Sequence, residues 1–484
     1  MPFLPTEFDE SARKHASSIA LVDETGQSWT YSQMADDVDR LADRIGAEVS
    51  GSAVGILLLN SQRFLVSMLA IWKAGKTAVP LNYLLPPQDL VFILKDSGMS
   101  GLISSQFFND ALSKIRPLFG ETGKILMADD ESFIPEDAAQ VEVAEAAPAL
   151  YLYTSGTTGR PKGVVLSHGN LVSNVRACQT AGDFDSSDTF LCLLPFFHTY
   201  AITGTFLLPV LNGSKMVLVD RFQPAKVLNL IAEHRVTCFL AIPSMYRVLA
   251  GTETECDVGS LRFPISGGEP LPVAVAQAFR ARFDIDVFEG YGMTEASPVV
   301  SLNVPGGRKL GTVGRPLPGV EVRVRDDQGQ AVPDGEVGEL VVRGDLVMQG
   351  YHNLPDETAS TVIDGWLHTG DLGTLDSDGF VTITGRKKEL IISAGENIFP
   401  REIEEALVQH PLVAEVAVIG VPDEVRGEVP KAFVILTDSA AVDEKELRSF
   451  CRGKIANYKI PKTFQIVDDL PRNPTGKVLK RMLK

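Results

Sequence analysis

The sequence holds little cysteine and no arrangement of it that suits a scaffold or a metal. Cys178, Cys192, Cys238, Cys256 and Cys451 are an odd set, widely spaced and without any C-x-x-C. That excludes a disulfide framework and a zinc site, and fits reduced thiols in the cytosol. No apolar run approaches the roughly 20 residues that span a bilayer. The opening MPFLPTEFDESARKH lacks the basic-then-apolar order of a secretory signal, so a cytoplasmic protein with no transmembrane segment is expected. Positive charge is not in excess either. The formal net charge is −17, which argues against general nucleic-acid binding. Internal repeats and low-complexity linkers are missing, and no feature of the sequence specifies an oligomeric state.

What is present is the composition of a globular protein. Hydrophobic residues make up 44% and charged residues 22% of 484, enough for large cores and for two or three domains. The charge is unevenly spread. From Arg386 onward there are 17 Lys/Arg and 15 Asp/Glu, against 28 and 47 before it. A near-neutral tail on an acidic body suits an element that moves over an anionic ligand.

Residues 1 to about 150 alternate helical and strand patterns. Ile19–Val22, Gly26 and Trp29–Tyr31 read as a hairpin. Ser32 is placed to cap a helix with Met34, Val38, Leu41 and Ile45 on one face. Apolar runs such as Val54–Leu59 and Thr77–Leu81 read as buried strands flanking a helix over 64–73, the rhythm of a doubly wound, mostly parallel sheet. The rhythm resumes beyond residue 165, where Ser167 and Asn170 lead a helix. From Val320, alternation with turn dipeptides predicts an antiparallel β unit. The tail has βαβ-like pieces of its own. The polar run Gly385-Arg386-Lys387-Lys388 is the best domain boundary, giving 1–385 (with a β-rich part at about 320–385) and 386–484.

Between the first two βα stretches lies YTSGTTGRPKGV, residues 153–164. Thr154, Ser155, Thr157 and Thr158 carry hydroxyls, and Gly156, Gly159 and Gly163 let backbone N–H groups approach an anion. It reads as a strand followed by a phosphate-grasping loop. It is not the usual mononucleotide loop, because Lys162 follows Pro161 and precedes Gly163 rather than Ser or Thr. Taken alone, such a cluster is more often a flexible turn.

Later stretches supply the rest of a nucleotide site. Ser266-Gly267-Gly268-Glu269 follows a strand pattern and offers close backbone approach. Tyr291-Gly292-Met293-Thr294-Glu295 puts an aromatic face, a hydroxyl and a Mg2+-binding carboxylate at a strand end. Asp371, read as following a tight turn, suits vicinal ribose hydroxyls, and Arg386 a ribose or phosphate. Lys477 lies on a turn near the end, where a lone lysine is ordinarily just solvated.

In order and spacing, these stretches resemble the superfamily of adenylate-forming enzymes: acyl- and aryl-CoA synthetases, nonribosomal adenylation domains and luciferases. The matching segments are YTSGTTGRPKGV, PFFHTYA at 195–201, YGMTEASP, HTGD, GRKKELIISAGENIFPREIE and NPTGKVLK. The resemblance implies an α/β fold, with a large N-terminal domain of doubly wound sheets plus a β subdomain and a small mobile α+β C-terminal domain. It implies an ATP-dependent ligase that adenylates a carboxylic acid and passes the acyl group to CoA, with Mg2+ as cofactor.

Carried over by motif, Thr154, Ser155, Gly156, Thr157, Thr158, Gly159 and Lys162 would hold the β- and γ-phosphates. Thr294 would bond the α-phosphate and Glu295 ligate Mg2+. Gly268, Glu269 and Tyr291 would frame adenine, with Asp371 and Arg386 on the ribose. Lys477 would bridge carboxylate and α-phosphate. Lys388 would be the hinge that exchanges the Lys477 face for one bearing Ala394, Gly395 and Glu396, beside CoA. His198, otherwise a buried histidine among aromatics, would line the acyl site with Phe197, Tyr200 and Met245. No acid stands near Phe196–Tyr200 to pair with an ammonium, and no Lys or Arg stands at 197–206, 240–246 or 290–297 to pair with a second carboxylate. An apolar tail follows: a medium- or long-chain fatty acid first, an aryl or cinnamate-like acid second. A carrier protein in place of CoA remains an alternative acceptor.

Overall fold

The computed structural model describes residues 3–119, 123–130, 132–136, 148–155, 160–437, 442–472 and 478–484. They fall into two compact units, one of residues 1–321 and 342–367, the other of 322–341 and 368–484.

In the first unit, the apolar runs Ala53–Leu57 and Cys238–Ala241 are buried along their whole length, as strands covered on both faces must be. They belong to two sheets. One has seven strands in the order Gly350–Tyr351, Pro161–Leu166, Leu150–Ser155, Thr77–Pro80, Ala53–Leu57, Gly101–Ser104, Lys124–Met127. The last five of these are parallel, and the first two are antiparallel additions at one edge. The other sheet has nine strands. Its middle is parallel and runs Phe288–Gly292, Phe263–Ser266, Cys238–Ala241, Thr189–Cys192, Lys215–Leu218, Ile19–Val22. Antiparallel strands close both ends.

The helix Gln62–Lys73 is buried from Phe64 to Trp72, so it is apolar all round as a core helix must be. Fully buried Trp72 donates its indole N–H to Ala149 O at 2.6 Å, just ahead of a seven-stranded-sheet strand. Its ring stacks at 6.4 Å on Phe206, in the buried helical segment that separates two strands of the other sheet. One side chain thus ties the two sheets' elements together. Burying a large apolar side chain of this kind contributes roughly 1.5–3 kcal/mol.

Helix starts follow local chemistry. Ser167 and Asn170, expected to lead a helix, form a reciprocal capping box at the start of His168–Gly182. The expected cap at Ser32 is corrected: Thr30, extended, takes the N–H of Gln33 while Gln33 returns a bond, and Tyr31–Glu48 begins there. The reciprocal pair satisfies two backbone donors, which Ser32 alone would not.

In the second unit the strand Glu321–Arg325 alternates, with Val322 and Val324 buried. Trp366–Leu375 pairs antiparallel with Val381–Arg386. A five-stranded sheet follows, built on the long hairpin of Val413–Asp423 and Gly427–Leu436. Strand Thr463–Ile466 adds to it in parallel. Helices Pro400–Leu407 and Glu444–Cys451 lay Ile403, Leu407, Leu447 and Cys451 on a core with Val418, Ala432 and Val434. Cys451 is therefore packing, and burial pushes its thiol up to about 11. All five cysteines are free. Among the described residues, no helix is long and apolar enough to cross a membrane.

Candidate active site

Four neighbouring parallel strands of the nine-stranded sheet end on the same side. Thr189–Cys192 leads to Pro195–His198, Cys238–Ala241 to Ile242 and Met245, Phe263–Ser266 to Gly267–Glu269, and Phe288–Gly292 to Thr294 and Glu295. The carboxyl ends of parallel strands are where open α/β sheets bind ligands, because the loops there diverge and leave a crevice. Motifs separated by about a hundred residues of chain meet at this edge. Thr199 and Thr294 share a hydrogen bond at 3.0 Å between their hydroxyls, and the Thr203 hydroxyl donates to Ser297 O at 2.8 Å.

His198 caps the short helix Thr199–Ala201, its Nδ1 accepting the Tyr200 N–H at 3.2 Å. A neutral ring bonded in this way carries its proton on Nε2 and is a donor there. The Tyr200 ring lies against the Gly267 backbone: a Cβ on that glycine would meet ring atoms at 3.0–3.2 Å. Its hydroxyl donates to Ile265 O at 3.2 Å. Tyr200 thus sits between the expected acyl wall and the turn whose Gly268 has φ +82°. Phe197 is buried, its ring edge-on to Tyr83 at 5.0 Å. Met245 is half-buried and packs on the core beneath. Tyr291 stands on the Phe288–Gly292 strand, and Gly292 is confined to glycine because a Cβ there would lie 1.9 Å from Pro298 O.

Only the flanks of the expected phosphate loop are among the described residues, and both are strands. Leu150–Ser155 and Pro161–Leu166 pair antiparallel, with Thr154 opposite Lys162 and Ser155 opposite Pro161. Pro161 fits because it stands at the start of its strand. Of the expected phosphate-binding residues, Gly156, Thr157, Thr158 and Gly159 lie outside the described residues. Lys162, mostly buried, forms an ion pair with Glu357, and its ammonium lies 5.4 Å from the centre of the Tyr351 ring. The Tyr351 hydroxyl donates to Glu295 Oε1 at 2.9 Å. Burial and the adjacent Glu295 charge push the Tyr351 hydroxyl's pKa up, so it stays a donor.

Sequence reasoning missed Thr199, Tyr351 and Glu357. Thr199 stands inside a recognised motif. Tyr351 and Glu357 offer no local signal, because their roles come from pairing with residues almost 200 positions earlier.

Mg2+ keeps several waters and takes one or two carboxylates together with substrate phosphates. Glu295 matches that need, with one oxygen already hydrogen-bonded. Among the described residues there is no cluster of three or more acidic, His or Cys groups for a resident metal. The donor set therefore fits an ion that arrives with a polyphosphate.

The second unit holds the other expected residues. Asp371 is buried inside the strand Trp366–Leu375, directly opposite Arg386, whose Nε lies 2.9 Å from Asp371 Oδ1. The sequence reading of an acid after a tight turn is corrected: Gly370 has φ +68° but the strand runs through it. Lys388 is exposed in the turn Lys387–Glu389. Ala394 and Gly395, with φ of 51° and 86°, form the two-residue tip of the hairpin that ends at Glu396, a geometry matched to strand twist. Lys477 lies outside the described residues, between Arg472 and Val478, which are bridged antiparallel.

With this geometry in hand, comparison with known proteins is decisive. Residues 8–352 match the AMP-binding enzyme family, and residues 402–477 the AMP-binding enzyme C-terminal domain. The chain belongs to the AMP-binding enzyme family. It is 38% identical to a feruloyl-CoA synthase of an Amycolatopsis species, over 94% of this chain and 93% of that one. It is 33% identical to the long-chain-fatty-acid–CoA ligase of Bacillus subtilis (strain 168), over 95% and 90%. Its fold superposes on O-succinylbenzoate coenzyme A synthetase (MenE) from Bacillus subtilis in complex with ATP and magnesium ion. That match has a TM-score of 0.89 at 33% identity and covers 100% and 99% of the two chains. The adenylate-forming resemblance, the α/β fold class and the set of ATP, Mg2+ and CoA expected from the sequence all agree with an AMP-binding enzyme of the acid–CoA ligase type.

Proposed function

We propose that this AMP-binding enzyme joins a medium- or long-chain fatty acid to CoA, releasing AMP and pyrophosphate. The observation that supports it best is the meeting of the His198-Thr199 and Thr294-Glu295 segments through the Thr199–Thr294 hydrogen bond, with Lys162 joined to Glu295 through Tyr351. A free carboxylate is a poor electrophile. Its oxygen attacks the α-phosphorus of ATP, the bond to the β-phosphate oxygen breaks, and pyrophosphate leaves. The CoA thiolate then attacks the acyl carbon, and AMP departs with the bonding pair.

In this reading Lys162, with residues 154–159, binds the leaving pyrophosphate. Thr294 donates to the α-phosphate, Gly268, Glu269 and Tyr291 frame adenine, and Asp371 with Arg386 holds the ribose. Mg2+ supplies charge neutralisation on the phosphates, and Glu295 orients it. His198 donates from Nε2 to the carboxylate. Lys477 stabilises charge built up at the α-phosphorus, and a contact of that kind is worth about 10²–10³-fold in rate. A mobile element starting near Arg386 and turning at Lys388 replaces Lys477 by Ala394, Gly395 and Glu396, which line the path of CoA. The acyl wall of Phe197, Tyr200 and Met245 carries no Lys or Arg, which favours an apolar tail. A cytoplasmic setting belongs to the proposal and is supported by the five free thiols.

An aryl acid is the second reading, favoured by the His198-Thr199-Tyr200 run and by the 38% identity to a feruloyl-CoA synthase. Acid-dependent ATP–pyrophosphate exchange separates the two. A panel of fatty, aryl and short-chain acids is measured first, and then CoA or a holo-carrier protein is added. The proposal expects exchange to peak with fatty acids of medium or long chain and product to form on CoA. A peak with aryl acids transfers the assignment to the second reading. If no acid of the panel supports exchange, the ligase reading is refuted.

A further inference from the structure

We propose that Tyr351 is a positioning residue that turns Glu295 into a one-oxygen ligand for the magnesium ion arriving with ATP, and that the same side chain seats Lys162. This rests on reading Glu295 as that ion's protein ligand.

Two independent bonds tie Glu295 to one short segment. Its main-chain carbonyl accepts the Met348 N–H at 2.9 Å, and its Oε1 accepts the Tyr351 hydroxyl at 2.9 Å. With Oε1 engaged, Oε2 is the oxygen left for a cation. A ligating carboxylate whose second oxygen is hydrogen-bonded is held in orientation, and magnesium's strict octahedral geometry rewards such fixing. Tyr351 is itself held on several sides. Strand Gly350–Tyr351 pairs with Pro161–Leu166 through Tyr351 opposite Val164. The Tyr351 N–H donates to the Thr358 hydroxyl at 2.8 Å, and that hydroxyl donates to Leu354 O at 2.9 Å.

The same backbone pairing sets the ring beside Lys162, two residues before Val164 on the facing strand. The ammonium stands 5.4 Å from the ring centre with Glu357 also bound to it. A cation over an aromatic face is attracted by the ring quadrupole. One tyrosine therefore touches both expected phosphate-charge partners, the metal carboxylate through its hydroxyl and the lysine through its ring. Substitutions that separate hydroxyl from ring separate the two effects.

The test is equilibrium binding of ATP by calorimetry across a Mg2+ titration, without any carboxylic acid, so that turnover does not intervene. Tyr351→Phe keeps the ring and loses the hydroxyl. It is expected to raise the Mg2+ concentration at half-maximal binding by about 10-fold, the low end for loss of a residue that orients a metal ligand. Tyr351→Leu loses both and is expected to weaken ATP binding further at saturating Mg2+, whereas Tyr351→Phe is not. Glu295→Gln is measured alongside, and each variant's thermal midpoint is recorded to exclude a general loss of fold. If Glu295→Gln shifts the Mg2+ dependence and both Tyr351 variants do not, the positioning role is overturned. If Glu295→Gln leaves the dependence unchanged, the assignment of Glu295 on which the inference rests is overturned instead.

Discussion

In the first unit His198, Gly268 and Glu295 all follow parallel strands, whereas in the second Asp371 and Glu396 stand on antiparallel pairs and Ala394 at a hairpin tip. Strands Thr189–Cys192, Cys238–Ala241 and Phe263–Ser266 are buried along their whole length, and segments beyond the strand ends meet within hydrogen-bond reach, as Thr199 and Thr294 do. The antiparallel pairs hold their residues by register: Asp371 faces Arg386, and Ser393 faces Glu396. Carboxylates also serve differently. In the first unit Glu295 and Glu357 stand at the expected phosphate site. In the second, Glu389 and Glu404 hold Lys480 at 3.1 and 2.8 Å. The comparison teaches that the first unit brings distant segments together beyond its strand ends, while the second holds its residues by strand register and by ion pairs.

Breaking the first unit's core should have the largest effect. Trp72→Ala removes the stack on Phe206 and the indole bond to Ala149, and a cost of about 3–5 kcal/mol follows from large-to-small core substitution. Denaturant unfolding followed by tryptophan-independent probes in each unit checks it. The transition of residues 1–321 should move and that of 368–484 should stay.

Next comes acid sensitivity confined to the first unit. His168 is buried beside Phe3 and Trp72, and burial pulls its pKa down to about 4 from 6.5. The folded state then binds fewer protons than the unfolded state between those values, so stability is full above about pH 6.5. It declines as pH falls from there towards 4, by up to about 3 kcal/mol. Thermal midpoints from pH 7.5 to 4.5 for the parent and for His168→Leu measure this, and the variant should lose that part of the slope.

The smallest of the three lies in the second unit. Although burial opposes its charge, Lys480 has its pKa held above the usual value by Glu404 and Glu389. Lys480→Met leaves those two carboxylates facing each other. About 1–3 kcal/mol is expected, below the full cost of breaking a fully buried pair because Glu389 is partly exposed. The unfolding transition of residues 368–484 reads it. Lys480→Arg should recover most of the loss.

Much of this was legible in residues. The apolar runs became strands, the Ser167–Asn170 pair became a capping box, and the strand-end motifs came together. The failures have physical causes. Pro161 and Gly163 look like loop formers, yet the facing strand holds Lys162 in a ladder opposite Thr154. Gly370 looks like a turn, yet the strand runs through it to put Asp371 opposite Arg386. Tyr351 was invisible because a two-residue strand earns its place only by pairing with Val164 and Val165. Ser32 lost to Thr30 because Gln33 completes a box with the earlier residue.

The central claim is that one chain runs two half-reactions with different residues at the reacting centre. Lys477→Ala tests it most directly, with acid-dependent ATP–pyrophosphate exchange and the reaction of presupplied acyl-AMP with CoA measured on the same preparation. The account predicts that exchange is lost, by 10²-fold or more, while thioester formation from acyl-AMP persists. Equal loss of both would contradict it.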